Sequence, residues 1–214
     1  INAARDVWDE DRCQGYRLIA DELIDDGWVV SERRVWRVCS QEGMFSAAHR
    51  LKGKRKHRRP GPAVHDDRVR RDFTATAPNR LWLTDITEHR TSEGKLYLCA
   101  VKDVFSNRIV GYSISDRMKA RLAVDALEDA VGRRENPVGV IVHSDRGSQF
   151  RSRRYRRALR RRELHGSMGR VGACADNAAM ENWFSLLQKN VLNQHSWDTR
   201  EQLRLAIVNG IEAR

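Results

Sequence analysis

Two strand-like runs of this sequence end at an aspartate, and a helix-like segment further on carries a glutamate near its start. The first run, residues 81–86, is closed by Asp85, and the second, residues 140–145, by Asp145. Glu181 follows with 35 residues between it and Asp145, one turn into the segment 176–184. Strands of open α/β sheets present ligand sites at their carboxyl ends. The pattern therefore predicts an α/β fold in which three carboxylates approach one another.

Three neighbouring carboxylates have a specific chemical use. They repel one another and raise one another's pKa, and a bound divalent cation removes that cost. Magnesium binds through a few carboxylates and substrate phosphate, and two such ions clamp the attacking and leaving oxygens of a phosphoryl displacement. Each residue also has a simpler interpretation, because Asp85 and Asp145 could be turn formers and Glu181 a solvated residue favoured by the helix dipole.

The charge distribution favours a polyanionic partner. The chain has a net charge of +11 and an isoelectric point of about 10.1, which is typical of nucleic-acid-binding proteins. The excess lies in two blocks, residues 51–72 with +6 and residues 151–165 with +7, whereas residues 1–50 carry −3. Such blocks are often only solvated surface. Here they flank the candidate metal site, so we expect phosphate contacts from Arg58, Arg59, Arg156 and Arg157.

The first 48 residues predict a small helical region. Residues 14–26 and 31–42 have helical periodicity, Gly27 ends the first helix and Ser31 is a good N-cap for the second. Tyr16, Ile19, Ala20, Leu23 and Ile24 are expected on the inner face of the first helix, and Val35, Val38 and Cys39 on that of the second. Two short helices with a glycine turn resemble a helix-turn-helix, which would present Arg33, Arg34 and Arg37 outward. A helical hairpin without a DNA role is the alternative.

The remainder predicts a basic linker and a layered core. Residues 49–75 are poor in apolar side chains and contain Pro-Gly-Pro, as linkers do. Strands are expected at 81–87, 96–103, 108–115 and 138–143, and helices at 119–133, 152–163, 176–192 and 199–213, with a loop at 165–175. This order predicts a mixed sheet flanked by helices.

Three segments carry a family resemblance. Residues 81–115, the His-Ser-Asp-Arg-Gly-Ser-Gln-Phe run at 143–150 and the Asp-Asn-Ala-Ala-Met-Glu run at 176–181 resemble the catalytic core of bacterial insertion-sequence transposases. Those enzymes share a ribonuclease H-like fold with retroviral integrases, and their signature is Asp, Asp and a Glu separated from the second Asp by 35 residues. The resemblance extends from about residue 10 to the end of the chain. It implies a helix-turn-helix-like region at 1–48, a linker at 49–75 and a catalytic core at 76–214.

The resemblance also implies roles for individual residues. Asp85 would bridge two Mg²⁺ or Mn²⁺ ions, while Asp145 and Glu181 would each hold one. The implied reaction is cleavage at the ends of an insertion sequence and transfer of the 3′-hydroxyl into target DNA, by a homo-oligomer bound to double-stranded DNA. Further candidates for DNA contact are Arg146, Gln149, Asn177 and Lys189. Relatives often carry a basic residue seven positions after the glutamate, where this chain has Gln188, with Lys189 one position later.

Two other functions remain open at this point. An inactive transposase remnant could act only as a DNA-binding protein, and a ribonuclease H-type nuclease would use a similar core, although the helical front and basic linker argue against it. The four cysteines have neither zinc-site nor disulfide spacing, and no signal peptide or membrane-length apolar run is present. We therefore expect a bacterial cytoplasmic, nucleoid-associated protein. The start at Ile1 suggests a piece of a longer product.

Overall fold

The computed structural model describes residues 1–47, 63–169 and 178–213. Arg58, Arg59 and Asn177 lie outside these residues. The helices are α1 (Asn2–Glu10), α2 (Tyr16–Asp25), α3 (Glu32–Gln41), α4 (Ala120–Arg133), α5 (Ser148–Arg151), α6 (Arg153–Arg161), α7 (Ala178–Asn190) and α8 (Arg200–Glu212), with a 3₁₀ turn at Leu192–Gln194. The strands are β1 (Leu81–Thr91), β2 (Gly94–Asp103), β3 (Ile109–Ser115), β4 (Ile141–Ser144) and β5 (His165–Met168).

The N-terminal helices form a unit with its own apolar cluster. As predicted, Gly27 adopts a positive φ of 89° just after α2, and the Ser31 side chain accepts a hydrogen bond from the Arg34 backbone at the start of α3. The prediction for Ile24 is wrong, because it is 47% exposed while Glu22 is buried in its place. α1, which the sequence did not predict, completes the cluster of Ala4, Val7, Ile19, Ala20, Leu23, Val35, Cys39 and Met44.

The five strands form one mixed sheet in the order β3-β2-β1-β4-β5. β1, β2 and β3 are antiparallel neighbours, as expected for a meander joined by short turns. β4 and β5 run parallel to β1 and are reached through helices, so the second half of the sheet is built by crossover connections. This confirms the predicted mixed sheet flanked by helices.

Helices cover both faces of the sheet. On one face, α4 and α6 pack over Trp82, Cys99, Val101 and Val142. On the other face, α7 and α8 pack over Leu81, Leu83, Leu98 and Ala100. β2 is therefore buried on both faces. The helix interiors follow helical periodicity, with Leu122, Ala123, Ala126, Leu127 and Ala130 of α4 and Leu203, Ile207 and Ile211 of α8 all buried.

Two predicted boundaries are wrong in a way that affects the site. Asp85 does not close its strand, because β1 continues six residues further to Thr91, paired with β2 along its length. Residues 165–168 are not a loop but strand β5, parallel to β4. A four-residue segment that includes Gly166 and Ser167 shows almost no alternation of apolar and polar side chains. The strand is specified instead by its pairing with β4 and by the burial of Met168.

Residues 63–72 lie against β5, although the sequence assigns them to the linker. The Arg68 backbone donates to Ser167 Oγ at 3.0 Å, and Val69 is buried in the cluster beneath α7 and α8. The His65 ring sits so close to Gly166 that a Cβ there would lie 2.6 Å from its Cγ. This segment therefore shields the edge of the sheet, which would otherwise expose unpaired backbone groups. No described helix is both long and apolar enough to cross a membrane.

Candidate active site

The parallel pairing of β1 and β4 brings two of the predicted carboxylates side by side. The register aligns Leu81 with Ile141 and Leu83 with His143. Continued for two residues, it sets Asp85 level with Asp145, which directly follows the last residue of β4. Neighbouring strands are about 4.8 Å apart. Asp85, in the middle of the long strand β1, therefore lies next to Asp145, just beyond the end of the short strand β4.

Cys99 is a buried thiol on the strand next to the one that carries Asp85. Its thiol is buried on β2 beside β1, with Sγ 3.6 Å from Thr84 Oγ1. Burial, with a contribution from the charges of Asp85 and Asp145, raises the pKa of Cys99 to about 12, against the hydrogen bond with Thr84. With this pKa, the thiol stays protonated and contributes packing.

Backbone amides orient the two aspartates. Asp85 Oδ1 accepts from the Ile86 amide at 2.8 Å, and Asp145 Oδ1 accepts from the Gly147 amide at 2.8 Å. The second contact shapes the turn between β4 and α5. A Cβ at Gly147 would lie 2.8 Å from Asp145 Oδ1, so a larger residue there would push the Asp145 carboxylate out of this position. Asp145 itself is exposed and Asp85 half-buried, leaving the carboxylate edge open to a ligand.

Glu181 approaches from the helix above the same face of the sheet. Side chains alternate along a strand, so Asp85 shares the face of Leu81 and Leu83, which α7 covers. Met180, the neighbour of Glu181, is fully buried in that cluster. Glu181 is exposed in the first turn of α7. Glu181 therefore lies on the helix that covers the face of the sheet bearing Asp85. Its neighbour Met180 packs that helix against the sheet.

Carboxylate oxygens suit a hard divalent cation, although Asp85, Asp145 and Glu181 do not form one close cluster in this structure. Within residues 1–47, 63–169 and 178–213, no three His, Cys, Asp or Glu side chains are close enough to hold a metal ion. Two adjacent aspartates provide the oxygen ligands that Mg²⁺ and Mn²⁺ prefer. Neither Asp145 nor Glu181 forms an ion pair with another described residue, so both charges remain available to a cation.

Nearby polar residues are structural. Asp103 is fully buried and accepts from the Asn79 amide at 3.2 Å and from Ser106 Oγ at 2.7 Å. The His143 ring bonds to Ser167 Oγ at 3.0 Å and packs edge-on against Phe73. It therefore ties β4 to β5 and to the segment before β1. Trp82 is fully buried and Trp183 nearly so, consistent with core positions.

The candidate DNA contacts around Asp145 have protein partners of their own. Arg146 donates from Nε to the Gly169 carbonyl at 2.8 Å, which joins the turn after Asp145 to the end of β5. Gln149 is 8% exposed and donates to the Met118 carbonyl at 3.0 Å, so a DNA contact would require it to leave that position. Lys189, by contrast, is exposed on α7.

The two arginine groups predicted to touch DNA differ in their surroundings. Arg33, Arg34 and Arg37 project from the exposed face of α3, and none pairs with a described acidic residue. Arg156 and Arg157 of α6 instead pair with Glu10 at 2.8 Å and Asp26 at 2.7 Å. The sequence did not reveal these pairs, although the opposite net charges of residues 1–50 and 151–165 were a usable signal.

Comparisons with known families match both parts of the chain. The integrase core domain family matches residues 75–174, and an HTH-like domain family matches residues 1–56. Among curated proteins, the InsF transposase of insertion sequence IS3A from Escherichia coli K12 is 39% identical over 198 residues, covering 92% of this chain and 69% of that protein.

Solved structures share the fold at low sequence identity. A chain of the simian T-cell lymphotropic virus intasome, solved with a PP2A regulatory subunit, superposes with a TM-score of 0.53 at 16% identity, covering 92% of this chain and 64% of that chain. The Mos1 transposase catalytic domain, solved with raltegravir and Mn, gives 0.50 at 15% identity, covering 64% and 72%. These likenesses confirm the predicted ribonuclease H-like fold for the sheet and its helices.

Proposed function

The chain belongs to the family of insertion-sequence transposases that includes the IS3 enzymes, and on that premise we propose that it cleaves DNA at insertion-sequence ends and transfers the strands to target DNA with divalent metal ions. The observation that carries this proposal is the alignment of Asp85 with Asp145 across β1 and β4. Two ionised carboxylates at one sheet edge are unfavourable without a cation. Their adjacency is accounted for if the site binds metal.

Each residue of the proposed triad has a distinct task. Asp85, held within a long paired strand, and Asp145, just beyond the end of β4, would hold the metal ions. Glu181, in the first turn of α7, would supply the third carboxylate. When present, the ions activate the attacking oxygen and stabilise the leaving oxygen. The protein's own contribution is to hold the reacting groups in position.

The proposed ion is Mg²⁺ or Mn²⁺. An all-carboxylate site selects hard cations over softer ones such as copper. The Mos1 catalytic domain of the same fold has been solved with Mn. Asp85, Asp145 and Glu181 would supply fewer ligands than either ion takes, which leaves positions for DNA phosphate and water.

DNA is the proposed partner of both parts of the chain. The proposal assigns DNA binding to residues 1–48, a connecting role to 49–75 and catalysis to 76–214. The fold relative from an intasome supports assembly as an oligomer on DNA ends. A protein with this activity would work on the nucleoid of the bacterial cytoplasm. Arg58, Arg59, Asn177 and Lys189 remain proposed phosphate contacts.

Strand transfer by the purified chain tests this function. The substrate is a duplex that ends in the 3′-terminus of the element, with supercoiled plasmid as target. We expect joined products in Mg²⁺ or Mn²⁺ and none in EDTA. Binding of the end without joining in either metal would contradict the proposed chemistry and would favour an inactive protein that only occupies DNA ends.

The recognition helix provides a separate prediction. Arg33→Ala and Arg37→Ala should each lower the preference for element ends over random duplex by about tenfold, since an arginine that reads a base contributes about 1–3 kcal/mol of discrimination. The measurement is competition binding by fluorescence anisotropy. Arg121→Ala is the matched control, because this exposed arginine lies on α4 and pairs only within its helix, with Asp125. Equal losses in all three variants would show that α3 does not read sequence.

A further inference from the structure

The arginines around α6 are covered by acidic side chains of the N-terminal unit. Arg153 pairs with Glu10 at 2.7 Å and with Asp26 at 3.4 Å, and Arg154 pairs with Asp25. Further pairs join Arg156 to Glu10, Arg157 to Asp26, Arg151 to Asp11 and Lys119 to Asp21. Every acidic partner in this set lies on α1, on α2 or directly after one of them. We call these acidic residues, Glu10, Asp11, Asp21, Asp25 and Asp26, the acidic cover.

The acidic cover resembles the backbone of a nucleic acid in its chemistry. A row of carboxylates faces a row of guanidinium groups, and guanidinium recognises carboxylate and phosphate through the same donor geometry. The N-terminal unit is therefore two-sided, with acidic residues towards the core and Arg33, Arg34 and Arg37 on its exposed helix. Its acidic side covers the arginines of α6.

The cover does not satisfy the arginines fully. Among the described residues, no hydrogen-bond acceptor reaches Arg151 Nε, Arg151 Nη1 or Arg156 Nε, although all three atoms are buried. Unmatched guanidinium donors are costly in a buried place. A row of phosphates has more oxygen acceptors per unit length and would accept hydrogen bonds from these donors better than the carboxylates do.

The cover is also held mainly by charge. The apolar cluster of the N-terminal unit is made entirely of residues 3–44 and includes none from the core. Most of the ion pairs are partly exposed, and such pairs are weak and are screened by salt. The pair of Arg151 with Asp11 is the exception, because both side chains are buried. Glu22, whose Oε1 accepts from the Arg153 backbone at 3.1 Å, is buried at the junction. Burial raises the pKa of Glu22 to about 7, with opposing contributions from Arg153 and supporting ones from Asp25 and Asp26.

We propose that the arginine face of α6 is a second binding site for the backbone of double-stranded DNA, and that the acidic cover blocks it until DNA displaces the N-terminal unit. The proposal rests on the DNA-binding part of the proposed function but not on catalysis. In the DNA-free chain, Arg153, Arg154, Arg156 and Arg157 hold the unit in place. With DNA bound, they contact phosphates, and the unit is freed to bind an element end through α3.

Neutralising the cover in the full chain tests the proposal. The triple variant Glu10→Gln, Asp25→Asn and Asp26→Asn exposes the arginines. Its affinity for random duplex at physiological salt should rise about tenfold or more, and the slope of log affinity against log salt should steepen by about 2–3, because each new phosphate contact adds about 0.9 to the slope. Fluorescence anisotropy in EDTA measures both quantities without any cleavage.

The control carries the same change of charge elsewhere on the unit. Asp6→Asn, Asp9→Asn and Glu42→Gln alter three acidic residues that make no described pair with the core, and this triple should change the slope by less than about 1. Adding Arg154→Gln and Arg157→Gln to the uncovered variant should abolish its gain. Glu22→Gln, which can still accept from the Arg153 amide, should leave the cover closed. If the two triple variants bind DNA alike, the proposal is wrong.

Hydrogen exchange provides an independent readout of opening. Adding random duplex to the wild-type chain should increase exchange in α2 and at the start of α6, where the Arg153 amide is bonded to Glu22. If amide exchange in α2 and at the start of α6 is unchanged at saturating DNA, DNA does not displace the N-terminal unit and the proposal is wrong. If the chain performs strand transfer but both the anisotropy and the hydrogen-exchange results differ from those expected, the proposed function stands and only the blocking role of the acidic cover is wrong.

Discussion

Replacing any one of Asp85, Asp145 and Glu181 by its amide is expected to abolish strand transfer. Asn and Gln keep the shape of the side chain but lose the charge that binds the cation, so each variant should lose activity by about 10³-fold or more, equivalent to about 4 kcal/mol of transition-state stabilisation. The measurement is the yield of joined product from pre-cut ends in Mg²⁺ and Mn²⁺. DNA binding in EDTA should be unchanged.

The control for these variants is Glu88→Gln. Glu88 lies on the same strand as Asp85, is exposed and pairs with Lys95 at 2.8 Å, and an exposed pair of this kind contributes little. This variant should retain activity. The free energy of unfolding of Asp85→Asn should not fall in the absence of metal, because the substitution removes repulsion with Asp145. Near-normal joining by any of the three amide variants would remove that residue from the proposed triad.

Gly111→Ala is expected to give a large loss of stability. Gly111 lies on β3 where α4 crosses the sheet, and a Cβ there would lie 2.6 Å from both Cα and Cβ of Ala130. The helix backbone cannot move aside locally, so the substitution should lower the free energy of unfolding by about 2–3 kcal/mol and the melting temperature by about 4–12 °C. Urea denaturation followed by circular dichroism measures the change.

Gly132→Ala is the matched control, because the same methyl group meets no atom within 4 Å at that position in α4. An alanine within a helix should raise the free energy of unfolding by up to about 1 kcal/mol. Equal stability of the two variants would show that β3 and α4 do not pack as closely as described.

Local patterns predicted the elements that position the site. The strand-like patterns at 81–87 and 96–103 and the helical pattern at 119–133 specify β1, β2 and α4 through short-range periodicity, and the structure agrees with them. The triad positions came from motif spacing, and the adjacency of Asp85 and Asp145 follows once β1 and β4 are neighbours. The roles of the triad stay predictions.

Long-range contacts were beyond the reach of the sequence. β5 is a strand because β4 and the segment containing His65 hold it, although Gly166 and Ser167 have weak strand preference. Glu22 is buried, and Ile24 exposed, because α2 meets α6 rather than solvent. The arginines of α6 read as a free basic surface until the acidic residues of α1 and α2 were found opposite them.

A crystal structure of the chain with an element-end duplex and Mn²⁺, with anomalous scattering measured at the manganese edge, would show whether the three carboxylates bind metal on DNA. We expect peaks about 2.0–2.6 Å from carboxylate oxygens of Asp85 and Asp145, with Glu181 ligating one of the ions and DNA phosphate nearby. Manganese bound elsewhere, or Glu181 remote from both aspartates with DNA and metal in place, would contradict this expectation.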